Sequence, residues 1–556
     1  MDKIKFFVQI FIILAIVCAS FADQVIIYVD DDAAGNNDGT SWENAYTFIQ
    51  DALADADTVD KPIEVRVAQG VYKPYQGAES SSIAFRLING VTLSGGYAGL
   101  KEQDPNTRNV EKYETILSGD LNGDDIEVNN PSDLPSELTR SDNFAGIVIG
   151  SGTDRTAVLD GFIIAGGRGG APLIETLSGG AGMMNESGSP TINNCTFTVN
   201  SAAIGGGMMN RNNSNPILTN CKFIKNSSRI GGAVYNLNSN PTFFNCIFTN
   251  NYADDGAGMS ISFTETTHAL SFELIDCRFE NNNAKNTGGG LIIYSGDLAL
   301  TNCLFIGNSA SQGGAIYNGT GNPQLTNCQF INNSASEGGG MYNDSGIPNL
   351  RNCRFFRNKA QVTGGGLDSN DEANPLLIAC IFISNSSDKN GGGVAGNNSI
   401  YNCLMSSNTA VNDGGAIYGW GEVSNCTVIG NKASGNGGGI YTQGIITLNN
   451  NIFHNNDAIL GDEIYVGLRY KHITGVPPMT LIVSSVVTMR YNNVHGGEEN
   501  ILIDNDCTLM WESGNTDEDP LFANPGYWAD ADDPNIVVEP NDPNAVWIDG
   551  DYHLKS

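Results

Sequence analysis

The residues best placed to do chemistry in this sequence are oxygen donors. Asp120-Leu121-Asn122-Gly123-Asp124-Asp125, with Glu127 beyond, alternates side-chain oxygens with spacers along a short stretch. A hard cation such as Ca²⁺ takes several oxygen ligands, and this alternation lets one loop wrap them around an ion. Asp120, Asn122, Asp124, Asp125 and Glu127 are therefore the expected calcium ligands; the competing reading is an acidic surface loop inserted between structural elements. Nitrogen and sulfur donors show no such grouping. The five histidines, His268, His454, His472, His495 and His553, share no repeat phase, and the cysteines form no C-x-x-C or Cys/His pairing. Neither a zinc site nor a catalytic triad is expected. Asp254-Asp255 and Asp276 stand as separate acids, so no catalytic residue is assigned.

The cysteines instead mark a repeat. Cys195, Cys221, Cys246, Cys277, Cys303, Cys328, Cys353, Cys380, Cys403 and Cys426 are separated by 26, 25, 31, 26, 25, 25, 27, 23 and 23 residues. Asp160 precedes the series and Asn451 continues it. Two positions after each cysteine comes an apolar residue, usually Phe, as in Phe197, Phe223, Phe305 and Phe330. Five positions after comes Asn every time: Asn200, Asn226, Asn251, Asn282, Asn308, Asn333, Asn358, Asn385, Asn408, Asn431 and Asn456. A glycine cluster with an apolar pair follows, as in Gly313-Gly314-Ala315-Ile316.

The elements that must carry these residues are strands. Cys-x-Phe puts both side chains on one face by period two. A second strand such as 315–318 opens after the glycines, and a third such as 323–325 leads to the next cysteine. No helical period occurs in the repeat, so each one predicts a coil of a parallel β-helix, with about twelve regular coils. Equivalent residues then stack from coil to coil. The asparagines form a ladder at a bend, where Asn tolerates left-handed backbone and stacked amides hydrogen-bond along the axis. Stacked cysteines have parallel Cβ vectors, awkward for bridging, so they are expected as buried thiols rather than disulfides. The row between Cys and Phe faces outward and reads Thr196, Lys222, Ile247, Arg278, Leu304, Gln329, Arg354, Ile381, Leu404 and Thr427, with no carboxylate cluster.

Different signals flank the array. Residues 1–22 have the basic start, apolar run and small residues near Ala22 of a cleavable signal peptide, which implies secretion; Cys18 raises lipid anchoring as an alternative, against which bulky Val17 argues. No second membrane-length apolar run follows. Residues 23–157 hold a cap and irregular first coils with the acidic insertion. There Thr40-Ser41-Trp42-Glu43 reads as a capping box opening an amphipathic helix through Ala45, Phe48, Ile49, Ala52, Leu53 and Ala56. That helix would close the open end of the solenoid. Residues 158–500 are the regular β-helix and 501–556 an acidic, irregular tail. The chain carries 61 Asp and Glu against 28 Lys and Arg, a net charge of −33. Such a field repels nucleic acid and anionic lipid and disfavours long-range attraction of polyanions.

Phe305-x-x-Asn308 followed by Gly313-Gly314-Ala315-Ile316 is similar to the repeats of chlamydial polymorphic outer-membrane proteins. The chain also resembles the right-handed parallel β-helix, pectate-lyase-like proteins secreted in large sets by planctomycete-type bacteria, which implies a right-handed coil. That resemblance covers nearly the whole mature chain: Tyr28-Val29-Asp30, Gly39-Thr40-Ser41-Trp42, Val158-Leu159-Asp160-Gly161-Phe162, Asp519-Pro520-Leu521-Phe522 and Gly550-Asp551-Tyr552-His553-Leu554. It implies the fold and leaves function open. The Gly-His-Gly and Arg-Ile-Lys of polygalacturonases are missing, Asn515-Thr516-Asp517 lies outside the repeats, and no C-terminal barrel pattern occurs. The Asp120 loop is similar to the start of EF-hand and dockerin calcium loops, though Asp125 stands where those carry Gly and Pro131 where they carry an acid. Two function classes follow. One is a secreted or cell-surface structural, adhesive or glycan-recognition protein, expected as a monomer with polysaccharide or cell-surface glycan as its partner. The other is a polysaccharide lyase or glycoside hydrolase acting on acidic polysaccharide.

Overall fold

In the computed structural model a repeat supplies up to four short strands, and successive repeats stack in parallel register. The structure describes residues 25–74, 84–169, 179–264, 272–473, 479–540, 542 and 544–555, with no side chains placed for 470–482. The signal-peptide reading of 1–22 and His268 lie outside the described residues. In the coil that begins at Cys328 the strands are Gln329–Ile331, Ser334–Glu337, Met341–Asn343 and Asn349–Arg351. The Cys-x-Phe strands build a first sheet of fifteen strands. The Ser334–Glu337 type builds a second sheet, in runs of three and five strands, and the last two types share a third sheet of thirty. The second sheet is one strand more per coil than the spacing suggested, because its Ser-Ala-Ser pattern carries no large apolar residue to announce it. Where the cysteine spacing drops to 23, the two strands of the third sheet fuse, as in Val394–Tyr401 and Ile417–Ser424.

The solenoid is longer than the twelve coils expected. Gly70–Tyr72, Thr115–Ser118 and Ile163–Ala165 head the fifteen-stranded sheet, and Asn493–Val494 ends it. These coils keep the backbone pairing without the Cys/Phe signature, so a residue count misses them. Register also moves the start of the series: Thr196 pairs with Ile163, which sets Phe162, not Asp160, above Cys195.

The core is columnar. Phe197, Phe223, Phe248, Phe279, Phe305, Phe330, Phe355 and Phe382 stack with ring centroids 4.4 to 5.2 Å apart and planes within 8°. The ten repeat cysteines are free and buried. Each thiol donates to backbone carbonyls, as Cys328 Sγ does to Leu300 O at 3.6 Å in the coil before. The asparagine column is fully buried. Asn308 Nδ2 donates to Asn333 Oδ1 at 3.0 Å and to Phe279 O at 2.9 Å, and the Asn308 N–H donates to the same Asn333 Oδ1 at 2.9 Å. The left-handed backbone lies one residue earlier than expected, at Asn332 (φ 52°), Arg357 (φ 54°) or Gly307 (φ 63°), so the ladder residue is free to turn its amide inward.

Both flanks depart from expectation in detail. The helix is shorter than the amphipathic stretch: α1 spans Ile49–Thr58, is preceded by Phe48 with no side-chain cap, and buries Ile49, Ala52, Leu53 and Ala56 in the solenoid core. Trp42 is drawn away from the helix into a cluster with Tyr28 and Tyr97, its Nε1 donating to Asn106 Oδ1 at 3.0 Å. The acidic tail is structured rather than irregular. Ile501–Ile503 and Thr508–Trp511 extend the third sheet, and Asn515 accepts from Asn492 Nδ2 at 3.1 Å in the column that the cysteines begin. The chain then folds back as two antiparallel pairs whose Phe522, Trp528 and Trp547 pack on Ile429. These aromatics, spread among acids and prolines, keep no repeat phase.

If the ladder carries the coil corners, Asn333→Ala strands the Asn308 donors and the Phe305 carbonyl. It is expected to cost about 2–3 kcal/mol, whereas the outward Gln329→Ala costs within about 0.5 kcal/mol. Urea midpoints that fall equally for both variants would refute that role.

Candidate functional site

The second sheet presents an open concave surface. After each ladder asparagine the chain alternates: Ser334-Ala335-Ser336 and Asn283-Ala284-Lys285 put alanine inward and a polar residue outward. Alanine side chains hold this sheet close to the axis, and short serines leave space outside it. The result is a trough of about 540 Å³ lined by Asn283, Lys285, Ser309, Ser311, Ser334, Ser336, Lys359, Gln361 and Asp388. A second hollow of about 370 Å³ on the same side is lined by Arg168, Ser201, Ser227, Arg229, Tyr252 and Asp254, among others. Hydroxyls are partnered along the axis: Ser309 Oγ donates to Asn283 Oδ1 at 3.3 Å and Ser336 Oγ to Gln361 Oε1 at 3.3 Å. Lys359 pairs with Asp388 at 3.0 Å. This is a polar trough with cations along it on a chain that is otherwise strongly acidic.

A second row lies on the outer face of the third sheet. Tyr317, Tyr342, Asp368, Ala395, Tyr418, Tyr441 and Tyr465 are successive register partners. Tyr317 and Tyr342 stack at 5.5 Å, and Tyr418 and Tyr441 at 5.3 Å. Between these pairs the column is interrupted by Asp368 and Ala395, both buried. Burial pushes the Asp368 carboxyl from its ordinary 3.8 up to about 6; Thr363, which donates to it, opposes the shift and the charge of Glu337 adds to it. Glu337 accepts from Gln312 Nε2 at 2.7 Å. Tyr342 Oη donates to Asn370 Oδ1 at 3.0 Å, and Asn370 Nδ2 to Asp344 Oδ1 at 2.6 Å. Glu337 at the end of the second sheet and Asp344 and Asp368 on the third all lie near Tyr342. Their separation in sequence, and the absence of any acid from the Cys-x-Phe row, hid them.

The expected calcium ligands are only partly brought together. Asp120 and Asp124 lie with Asp142, their carboxylate oxygens within 4.8 Å of one another. Asn122 offers this group its backbone N–H, donated to Asp142 Oδ2 at 2.8 Å. Asp120 also accepts from the Gly123 N–H at 2.6 Å. Asp125 turns to Arg140 at 3.2 Å and Asn143 at 2.7 Å, and Glu127 is not in the group. Asp142 replaces them because the loop closes through the short 3₁₀ turn at Thr139–Asp142, beyond the reach of a local motif.

Two histidines do share a phase. Register places His454 above His495, with ring centroids 4.8 Å apart. The antiparallel pair Arg469–Ile473 and Met479–Val483, inserted between them, stretches their spacing to 41 residues and conceals the repeat. Burial pushes His454 down to about 4. His495 Nδ1 lies 3.7 Å from buried Glu463, which ends the ladder by accepting from Asn456. His553 is exposed beside Asp551, and the side chain of His472 is outside the described residues.

The family described as right handed beta helix region matches residues 115–274 and 260–402, more than half of the chain. The Chlamydia polymorphic membrane protein repeat matches 402–419 and 425–443. Among curated proteins none matches. Three solved structures are similar. A rhamnogalacturonan lyase is 11% identical over 90% of this chain and 90% of that one, with a TM-score of 0.23. Tailspike protein 3 of bacteriophage CBA120 is 11% identical over 89% and 62%, TM-score 0.32. A pectate lyase is 10% identical over 91% and 84%, TM-score 0.17. At such identities the likeness concerns the fold alone. Among the described residues no helix is long and apolar enough to cross a membrane.

Asp368 yields a pH prediction. Its folded pKa is raised, so the folded state holds the proton more tightly than the unfolded state. Stability is fully present below about 3.8 and is lost as pH rises through about 6. The stability gap between Asp368→Asn and the parent should therefore widen in favour of the variant by about 3 kcal/mol from acid to neutral pH. A gap that stays constant in urea titrations across that range would show that Asp368 is not held protonated.

Proposed function

Because the chain belongs to the right-handed β-helix family, we propose that it is a secreted or cell-surface rod that recognises glycan chains along its second sheet, without turning them over. The trough of about 540 Å³ carries this reading. It runs across several coils, so a linear polymer would meet a polar side chain, such as Lys285, Ser311, Ser336 or Gln361, at each coil repeat of about 4.8 Å. Lys285 and Lys359 supply local cations, which soften the repulsion an anionic sugar would meet from the net charge of −33. The two matches to the polymorphic membrane protein repeat support a surface location. The same charge disfavours nucleic acid.

The test is binding by the full chain to a panel of neutral and acidic polysaccharides, with unsaturated-uronate and reducing-sugar release followed in parallel. Filling the trough with Ser311→Trp and Ser336→Trp should weaken binding by about tenfold or more, with no product released by any form. Release of unsaturated uronate would identify a lyase, and release of reducing ends without unsaturation a hydrolase, the latter pointing to Asp368 and Glu337. Binding untouched by the tryptophans would remove the trough from the function.

A second, independent reading concerns calcium. Asp120, Asp124 and Asp142 would hold the ion, and Asp125 Oδ1 and Asn143 Oδ1, buried without hydrogen-bond partners among the described residues, favour a positive charge in this loop. Calorimetric titration should give saturable Ca²⁺ binding that Asp142→Asn weakens by about tenfold. Absence of both heat and thermal stabilisation would exclude it.

A further inference from the structure

The two ends of the solenoid are finished differently. At the first coil, α1 lays Ile49, Ala52 and Ala56 on Ile27 and Val29, and all of them are buried. At the last coil the core columns are cut open. Val466 is fully buried, yet its register partner Ile503 is 44% exposed. Val487 and Met489 are fully buried, yet their partners Leu509 and Trp511 are only half-buried. Ile501–Ile503 and Thr508–Trp511 each pair with the preceding coil and, among the described residues, with no further strand. Beyond them Asn515 to Glu518 bond to Asn492, Asn493 and Gly496 under the first sheet, leaving Thr508–Trp511 without a strand beneath it among the described residues; the chain then packs Phe522, Trp528 and Trp547 against Ile429 on the side of the rod.

The rim of this open end is mainly acidic, with Arg490 at its edge paired to Glu512. Between Arg490 and Lys555 the sequence contains no Lys or Arg. Glu498, Glu499 and Asp506 are exposed around the last strands, and Asp504 is half-buried. Cys507, the one cysteine among the described residues that is not buried, sits in the turn joining Ile501–Ile503 to Thr508–Trp511.

We propose that this end docks an extended segment of a basic partner protein, added as the next strand beneath Thr508–Trp511. An edge with free backbone donors and acceptors is a template for strand addition. Alternate apolar side chains of the segment would complete the cut columns at Leu509 and Trp511, and its Lys or Arg residues would meet the acidic rim. Charge decides against a second copy of this chain as occupant, because two such ends would bring acidic rims together.

The test uses the full chain, the rate at which Cys507 reacts with a thiol reagent, and a synthetic peptide of alternating valine and lysine. The peptide is expected to slow Cys507 modification by about tenfold at saturation, and Glu498→Lys with Glu499→Lys to weaken its binding by about tenfold. An alternating valine–glutamate peptide should give no protection. These rim positions are exposed, so the reversals leave the fold intact, which an unchanged urea midpoint would verify. No protection by the lysine peptide would overturn the proposal. So would equal protection by both peptides, or a self-associated chain whose Cys507 is shielded without any peptide.

Discussion

At the corner after each Cys-x-Phe strand the backbone must turn while its polar groups lie buried. A buried N–H or carbonyl without a partner is expensive. One amide per coil meets that demand in three directions: to the backbone and amide of its own kind on one side, and to the carbonyl of the aromatic residue on the other. Because the oxygen of one asparagine serves the nitrogen of its neighbour, the coils are locked at a single register. That register then forces the phenylalanines and thiols into columns. The column begins at Gly167, whose N–H donates to Asn200 Oδ1 at 2.8 Å, and ends at Glu463. Both ends are thus closed by a group of matching polarity.

Repetition of this kind makes function a matter of local departures from the pattern. Where outward residues shrink to serine over two coils, the second sheet becomes a trough. Where Asp368 and Ala395 interrupt a tyrosine column, the third sheet gains a buried carboxyl held above its ordinary range. Where no helix covers the last strands, an apolar floor is left within an acidic rim. None of these disturbs the inner columns, so the scaffold tolerates them at little cost.

The thiol column illustrates the same separation. A chain with this many cysteines outside a reducing cytosol would ordinarily invite disulfides. Here the stacked geometry presents each sulfur to backbone carbonyls, and burial pushes the Cys195 thiol up, away from the reactive thiolate. Cysteine serves as a small apolar residue matched to the space beside the phenylalanine column.

The sequence by itself determined the fold class, the inward-facing columns and the direction of stacking, because a strict spacing of Cys, Phe and Asn admits one periodic arrangement of strands. It also located the helix that closes the first coil, through its apolar stripe. Only the tertiary structure decided the rest. The second sheet, the extra coils and the ordered tail depend on backbone pairing between residues of ordinary type, which leaves no mark on composition. His454 and His495, Glu337 and Asp368, and Asp142 beside Asp120 meet through register or loop closure over distances that no local pattern encodes. Periodic burial is written along the chain, whereas the grouping of outward polar residues is set by how coils of unequal length are stacked.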